Sequence, residues 1–142
     1  MRKVSHILNR KGRNVVSVEP DLTIIEALRL MADKNIGSVA VMHNNNFVGL
    51  MTERDYSRKV ILKGHSSSET TVAEIMTSNF PSVTQSDSVE HCMELMSENN
   101  LRYLPVIEHN KLVGIVSIND VVTETILTQK ETIEHLQNYI HS

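Results

Sequence analysis

Tryptophan is absent from this 142-residue chain, phenylalanine occurs only twice and cysteine only once. With so few aromatic rings beside seven methionines, the core has to be assembled from aliphatic side chains. The single cysteine, Cys92, excludes an intramolecular disulfide and points to a reducing compartment. A basic excess is missing as well. The net charge is −3, whereas a protein whose main partner is a nucleic-acid backbone carries a positive balance. Arg10, Lys11 and Arg13 make the nearest basic stretch, and it is too short to reverse that reading. No window approaches membrane-spanning length, and Met1 to Leu8 lacks the apolar run of an export signal. The expectation is a soluble, cytoplasmic protein.

The signatures of catalysis are missing too. The seven histidines (His6, His43, His65, His91, His109, His135 and His141) are scattered, with no His-x-x-x-His pair, whereas a tetrahedral site needs four convergent ligands. No metal site is expected. There is no GxxxxGK[ST] phosphate loop and no activated nucleophile, so no enzymatic activity is expected either. Cys92 falls on an apolar helical stripe and reads as a core residue.

What the chain does have is an internal repeat. Displaced by 65 residues, segment 16–61 lies on 81–126 without a gap. Ser17-Val18 meets Ser82-Val83, Leu30-Met31 meets Leu95-Met96, Val48-Gly49 meets Val113-Gly114, and Asp55 meets Asp120. The stripe Ile24, Ala27, Leu28, Met31 is matched in phase by Val89, Cys92, Met93, Met96, each at the i, i+3, i+4, i+7 spacing of one buried helix face. Each copy predicts a short strand (Val15–Val18; Ser82–Thr84), then an amphipathic helix (Thr23–Lys34; Ser88–Asn99). The first of these helices is expected to start at a Thr23/Glu26 capping box. Two apolar strands follow, Ser38–Met42 and Phe47–Met51, then Tyr103–Ile107 and Lys111–Val116 in the second copy. Asparagine-rich turns, His43–Asn46 and Glu108–Asn110, join them as hairpins. A closing helix begins near Glu53 and Ile118.

The expected organisation is residues 1–63 for an N-terminal segment and the first copy, 64–71 for a polar linker, 72–126 for the second copy, and 127–142 for an extension of the last helix. The turn Val72–Met76 leads into the second copy as Val4–Leu8 leads into the first. Ile133, Leu136 and Ile140 share a face of the extension and need a partner, either the body of the protein or a second subunit. One β-α-β-β-α unit covers a single face of its sheet, so an α+β fold of two repeats is expected, packed sheet to sheet about a pseudo-twofold axis with two equivalent clefts.

The chemistry lies where a strand runs into a helix: Gly49-Leu50-Met51-Thr52-Glu53-Arg54-Asp55 and Gly114-Ile115-Val116-Ser117-Ile118-Asn119-Asp120. Helix N-termini favour anions through their free N–H groups and dipole. An aspartate one turn in offers two acceptor oxygens that suit the paired hydroxyls of a ribose. Ser/Thr-x-x-acid is equally a capping box, and a single match would mean no more than that. Duplication at the same junction favours binding.

These motifs, with Ile36-Gly37-Ser38-Val39-Ala40-Val41, Leu101-Arg102-Tyr103-Leu104-Pro105-Val106 and the turn ending Glu74-Ile75-Met76-Thr77, resemble the CBS (cystathionine β-synthase) family, whose pairs are also called Bateman modules. The resemblance covers about residues 3–126. In that family AMP, ATP, NAD or S-adenosylmethionine occupies the clefts between repeats. The resemblance implies ribose binding by Thr52, Asp55, Ser117 and Asp120, and an adenine wall of Val16, Ser17, Gly37 and Ser38. Arg54 and Arg58, four apart on one helical face, are phosphate candidates; Arg102 is another, while Lys11 and Arg13 are weaker ones. The bland alternative is a solvated face with Asp55 paired to Arg58 or Lys59. Ala40 departs from the family's usual proline, kept as Pro105, and is expected to loosen the first copy's strand start.

Three functions compete. The first is a non-catalytic sensor binding an adenine nucleotide (AMP, ATP or NAD), working as a homodimer or signalling to a regulated partner. The second is an assembly protein with vestigial clefts that joins through its C-terminal helix. The third, a nucleotide-acting enzyme, has no supporting motif.

Overall fold

The computed structural model describes residues 2–141. Its elements run α1 (Val4–Lys11), β1 (Ser17–Val18), α2 (Ile24–Lys34), β2 (Ser38–His43), β3 (Asn46–Thr52), α3 (Glu53–Tyr56), a π-helical turn (Ser57–Ile61), α4 (Val72–Ile75), α5 (Val89–Asn99), β4 (Tyr103–Glu108), β5 (Lys111–Ser117) and α6 (Ile118–His141). Two compact units result. One is Val15–Phe80, and the other joins the residues up to Asn14 to those from Pro81 onward.

In the first unit β1 pairs parallel with β2, and β2 antiparallel with β3. The hairpin turn is two residues long, Asn44 and Asn45, with φ of 50° and 63°. His109 and Asn110 of the second unit repeat those values, 50° and 63°. Positive φ at both central positions is the turn whose twist matches a hairpin, and asparagine tolerates it. Both hairpins also carry an irregularity at the same place, between Val41 and Met42 and between Val106 and Ile107. Asn35 and Asn100 close α2 and α5 in the left-handed conformation.

The second unit's sheet has only β4 and β5. Its expected first strand, Ser82–Thr84, is reduced to an isolated bridge between Val83 and Val106. The reason is the residue pair Ala40/Pro105. The Ala40 amide donates to the Val16 carbonyl at 3.0 Å, and proline has no N–H to make that bond. Alanine therefore lengthens the first copy's strand, contrary to the expectation that it would loosen it.

Another correction concerns the start of α2. Thr23 is its N-cap, but no side-chain capping bond forms, and Thr23 Oγ1 is buried without a hydrogen-bond partner. The first helical amides are satisfied instead by backbone carbonyls: Ile24 N–H donates to Thr70 at 2.9 Å and Ile25 N–H to Ser67 at 2.9 Å. The polar linker is thus the cap of α2.

The helical stripes pack as their phase requires. Ile24, Ala27 and Met31 join Val39, Val41, Met51, Val60, Val72 and Ile75 in the first core. Val89, Cys92 and Met96 join Val4, Ile7, Leu8, Leu104, Val106, Val116 and Val121 in the second. Met93, expected on the buried stripe, is exposed instead.

Those two lists contain an exchange. Helix α4, which leads into the second copy, packs in the first core; α1, which leads into the first copy, packs in the second. The bonds that seat them correspond one to one. Val72 N–H donates to the Leu22 carbonyl and Ala73 N–H to Pro20, each at 2.9 Å. Val4 N–H donates to Asp87 at 2.9 Å and Ser5 N–H to Gln85 at 3.0 Å. Burying an aliphatic side chain of this size stabilises by roughly 1.5–3 kcal/mol, and Val4, Ile7 and Leu8 are all fully buried. The glycines of the two junctions make room for the exchange. A Cβ on Gly49 would lie 2.8 Å from Thr77 O, and one on Gly114 would lie 2.7 Å from Leu8 Cδ2.

Candidate functional site

At the first junction β3 delivers Thr52 to the head of α3 in extended conformation, and the chain turns helical at Glu53. Four donors then converge on the carboxylate of Asp55, which is 9% exposed. The Thr52 amide and hydroxyl both donate to Oδ2, at 3.0 Å each, and the Asp55 amide donates back to Thr52 Oγ1 at 3.1 Å. On the other oxygen, Oδ1, Thr77 Oγ1 donates at 3.1 Å and Lys59 Nζ makes an ion pair at 3.1 Å. Lys59 is steadied by the Ile75 carbonyl at 2.9 Å. A carboxylate has about four lone-pair sites, so the ones on Asp55 are all engaged.

The second junction repeats the core of this arrangement. Ser117 N–H donates to Asp120 Oδ2 at 2.9 Å, and Asp120 N–H to Ser117 Oγ at 3.1 Å. Its lysine comes from elsewhere in the chain: Lys11, the last residue of α1, places Nζ 2.7 Å from Asp120 Oδ2 and 2.9 Å from the Ile115 carbonyl. Both junctions are therefore reciprocal capping boxes in which a lysine also meets the carboxylate. The Glu53 amide goes to the Gly37 carbonyl at 3.1 Å and the Ile118 amide to the Arg102 carbonyl at 2.8 Å. Two of the first three amides of each closing helix are thus used internally, against the expectation of an open anion-binding terminus.

The expected residues of the first copy come together. Ser38 stands opposite Thr52 in the β2–β3 register, and Ser17 opposite Ala40 in β1–β2. Adjacent strands lie about 4.8 Å apart, so Val16, Ser17, Gly37, Ser38, Thr52 and Asp55 share one end of the sheet. Ser38 is buried, Val16 and Gly37 are half-buried, and Ser17 is exposed. The arginines are less concentrated. Arg54 is half-buried in α3, while Arg58 is exposed in the π-helical turn, so the α-helical stacking of Arg58 over Arg54 ends at Tyr56. Lys59, not Arg58, pairs with Asp55. Arg102 is exposed and lines a groove of about 580 Å³ between α5 and α6 with Met93, Leu101, Ile118, Val122 and Ile126. Arg13 bonds Asn9 at 2.8 Å and Gln85 at 3.0 Å.

Sequence reasoning named Thr77 only as the end of a family-like turn and gave it no place at the site. Thr77 reaches Asp55 because Leu50 and Thr77 form an isolated antiparallel bridge, a long-range pairing that leaves no local signature. The i, i+4 spacing of Asp55 and Lys59 was the available signal for the ion pair. Burial pushes the Cys92 thiol up to about 11, with the Asp87 charge adding to it. Among the described residues no group of three or more His, Cys, Asp or Glu side chains is placed to hold a metal ion, and no helix is long and apolar enough to cross a membrane.

Two copies of a helix–hairpin–helix unit, the first preceded by a strand and the second by an isolated bridge, each with a hydroxyl/aspartate box at its last strand-to-helix junction, define a mixed α+β tandem-repeat protein. The CBS domain family model matches residues 4–61 and 72–126, and the chain belongs to that family as a tandem CBS pair. It is 42% identical to a putative signal-transduction protein with CBS domains from Burkholderia ambifaria, covering 89% of this chain and 96% of that one with a TM-score of 0.86. It is 34% identical over 146 residues to the mitochondrial CBS domain-containing protein CBSX3 of Arabidopsis thaliana, covering 96% of this chain and 71% of that protein. The fold is shared by the CBS domain pair of a protein called MJ0100, solved with 5′-methylthioadenosine and S-adenosyl-L-methionine; the TM-score is 0.75 and the identity 24%, over 87% of this chain and 98% of that one.

Proposed function

We propose that this CBS pair is a regulatory module that binds an adenine nucleotide (AMP, ATP or NAD) at its strand-to-helix junctions, catalyses nothing, and passes occupancy to a regulated protein or to its own oligomer. The observation that carries this reading is the twofold occurrence of a carboxylate with a lysine ammonium within 3.1 Å, one pair at each junction. A carboxylate accepts from ribose hydroxyls and an ammonium meets phosphate, and a nucleotide presents both groups side by side. In this reading Asp55 with Thr52 and Asp120 with Ser117 hold ribose, the sugar hydroxyls taking the places that Lys59 and Thr77 occupy on Asp55 and that Lys11 occupies on Asp120. Val16, Ser17, Gly37 and Ser38 face adenine, and Arg54, Arg58 and Arg102 contact phosphate, joined by Lys59 and Lys11. The adenosine compounds bound by the MJ0100 pair support the ligand class. A reducing compartment such as the cytoplasm suits the lone, buried Cys92.

Calorimetric titration with AMP, ATP and NAD tests the proposal. Binding of at least one is expected, weakened by Asp55→Ala or Asp120→Ala. Asp55→Asn and Asp120→Asn keep a capping acceptor but lose the charge, and they separate ligand contact from loss of the helix cap. No heat from the unmodified chain at millimolar nucleotide would sink the reading.

The exposed C-terminal stripe of α6 favours a second function, in which the chain is an assembly protein indifferent to nucleotide. That reading requires an oligomer that AMP, ATP and NAD leave unchanged and that removal of residues 128–142 dissociates, as light scattering would show.

A further inference from the structure

The two junctions differ most at the carboxylates their sequences share. Both oxygens of Asp55 are covered from within the first unit: Oδ2 by Thr52, and Oδ1 by Thr77 Oγ1 and Lys59 Nζ, at 3.1 Å each. Lys59 also donates to Thr77 Oγ1 at 3.3 Å and to the Ile75 carbonyl at 2.9 Å, so carboxylate, hydroxyl and ammonium close into one cluster. In the second unit Oδ2 of Asp120 takes Ser117 N–H and Lys11 Nζ, while Oδ1 has no hydrogen bond among the described residues. Exposure does not separate the two carboxylates, whose side chains are 11% and 14% exposed. Their neighbours do.

The cause is the length of the leading helix. Helices α4 and α1 are seated by corresponding bonds from Val72 and Val4, which sets Thr77 in correspondence with Asn9. Helix α4 ends at Ile75, and Thr77 then exchanges two backbone bonds with Leu50, at 3.0 and 2.9 Å, which fix its hydroxyl on Asp55. Helix α1 runs on to Lys11, so Asn9 stays helical and its Oδ1 accepts from Arg13. The carbonyl of Ile115, the counterpart of Leu50, receives Lys11 Nζ instead. A hydroxyl held by its backbone is thus replaced by the tip of a flexible four-carbon side chain.

We propose that the second junction fills before the first, and that Thr77 is the residue that holds the first one back. This rests on the nucleotide-binding reading and adds which site takes the ligand. A ribose brings two hydroxyls. At Asp120 one of them finds Oδ1 open, and the other needs only Lys11 to swing aside toward the phosphate. At Asp55 both have to displace a group, and one of those groups is fixed in place. A net hydrogen bond changes an equilibrium roughly 2- to 10-fold, so one extra displacement should leave the first junction about 10-fold weaker.

Calorimetry of the full chain with AMP, ATP and NAD in turn provides the test. The unmodified chain is expected to bind in two steps about 10-fold apart, or in one step to which Thr77→Val adds a second. Asp120→Asn, which keeps a capping acceptor, should remove the tighter step. Thr77→Val keeps the shape and both backbone bonds to Leu50 but has no hydroxyl, and it should tighten the weaker step about 10-fold. Thr77→Ala should do the same, and Thr77→Ser should restore the gap, with circular dichroism checking each fold. No heat from the unmodified chain with any of the three nucleotides would remove the nucleotide reading and this proposal with it. Two equal steps, a tighter step that survives Asp120→Asn, or a weaker step indifferent to Thr77→Val would overturn the order of filling alone.

Discussion

Removing the Arg10 side chain, as in Arg10→Met, should destabilise the second unit more than a surface substitution can. Glu124 is 1% exposed, and its Oε1 accepts from Arg10 Nε at 2.7 Å. Its Oε2 has no hydrogen bond, and Arg2 Nε stands 3.8 Å away. Breaking a buried ion pair from one side costs about 3–5 kcal/mol because a desolvated charge is left behind. The Arg10 side chain is 38% exposed and Arg2 stays near, which puts this case at the low end, about 2–3 kcal/mol. Glu124→Leu removes the buried charge and leaves Arg10 free to extend into water, so it should be neutral or stabilising. In the pair Arg10→Met with Glu124→Leu most of the loss should be recovered. Urea unfolding followed by circular dichroism, analysed as a double-mutant cycle, measures all three. A loss below about 0.5 kcal/mol for Arg10→Met, or one that persists when Glu124 is also replaced, would refute the argument from a stranded buried carboxylate.

Gly49→Ala should cost about 1–3 kcal/mol, since its Cβ would meet the Thr77 carbonyl oxygen at 2.8 Å, an atom that accepts from Leu50 N–H in a residue whose own N–H donates back to the Leu50 carbonyl. Gly114→Ala meets only the side chain of Leu8 and should cost less; thermal melts of the two variants compare them. The raised thiol pKa of Cys92 makes a pH prediction. Below the ordinary value of 9.0 the thiol is protonated in both folded and unfolded chains, and stability is intact. As pH climbs from 9 towards about 11 the unfolded chain ionises first, and about 3 kcal/mol of stability is lost. Cys92→Ala, which copies Ala27 of the first repeat, should lack that loss when unfolding curves are compared across this range. Asn44→Val forces a β-branched residue to a φ of 50° and should cost about 1–3 kcal/mol, while Asn44→Gly should be nearly neutral in the same melts.

The local devices were legible because their causes are local. The hairpin tips Asn44-Asn45 and His109-Asn110 read as turns, since asparagine accepts positive φ more readily than most residues. The stripes Ile24–Met31 and Val89–Met96 read as buried faces, since a helix repeats its direction every 3.6 residues. The closing helices begin at Glu53 and Ile118 as the hydroxyl/aspartate pattern predicts, and both patterns form the capping boxes that were the bland alternative. Some local patterns misled: the stripe at Met93, the Arg54/Arg58 spacing and the Thr23/Glu26 pair. The start of α2 at Thr23 is enclosed by the linker carbonyls of Ser67 and Thr70, which leave no work for a side-chain cap.

Sequence by itself determined the duplication, the elements of each copy and the two junctions, because each depends on residues within a turn or two of one another. Tertiary structure alone decided which copy each leading helix joins. Val4, Ile7 and Leu8 carry the same spacing as Val72, Ile75 and Met76, and the two copies offer matching carbonyls to receive them, so periodicity is blind to the choice. That choice brings Lys11 to Asp120 and Thr77 to Asp55, across 109 and 22 residues of chain. Equivalent hydrophobic surfaces are interchangeable to a pattern, and only the path of the backbone through space tells them apart.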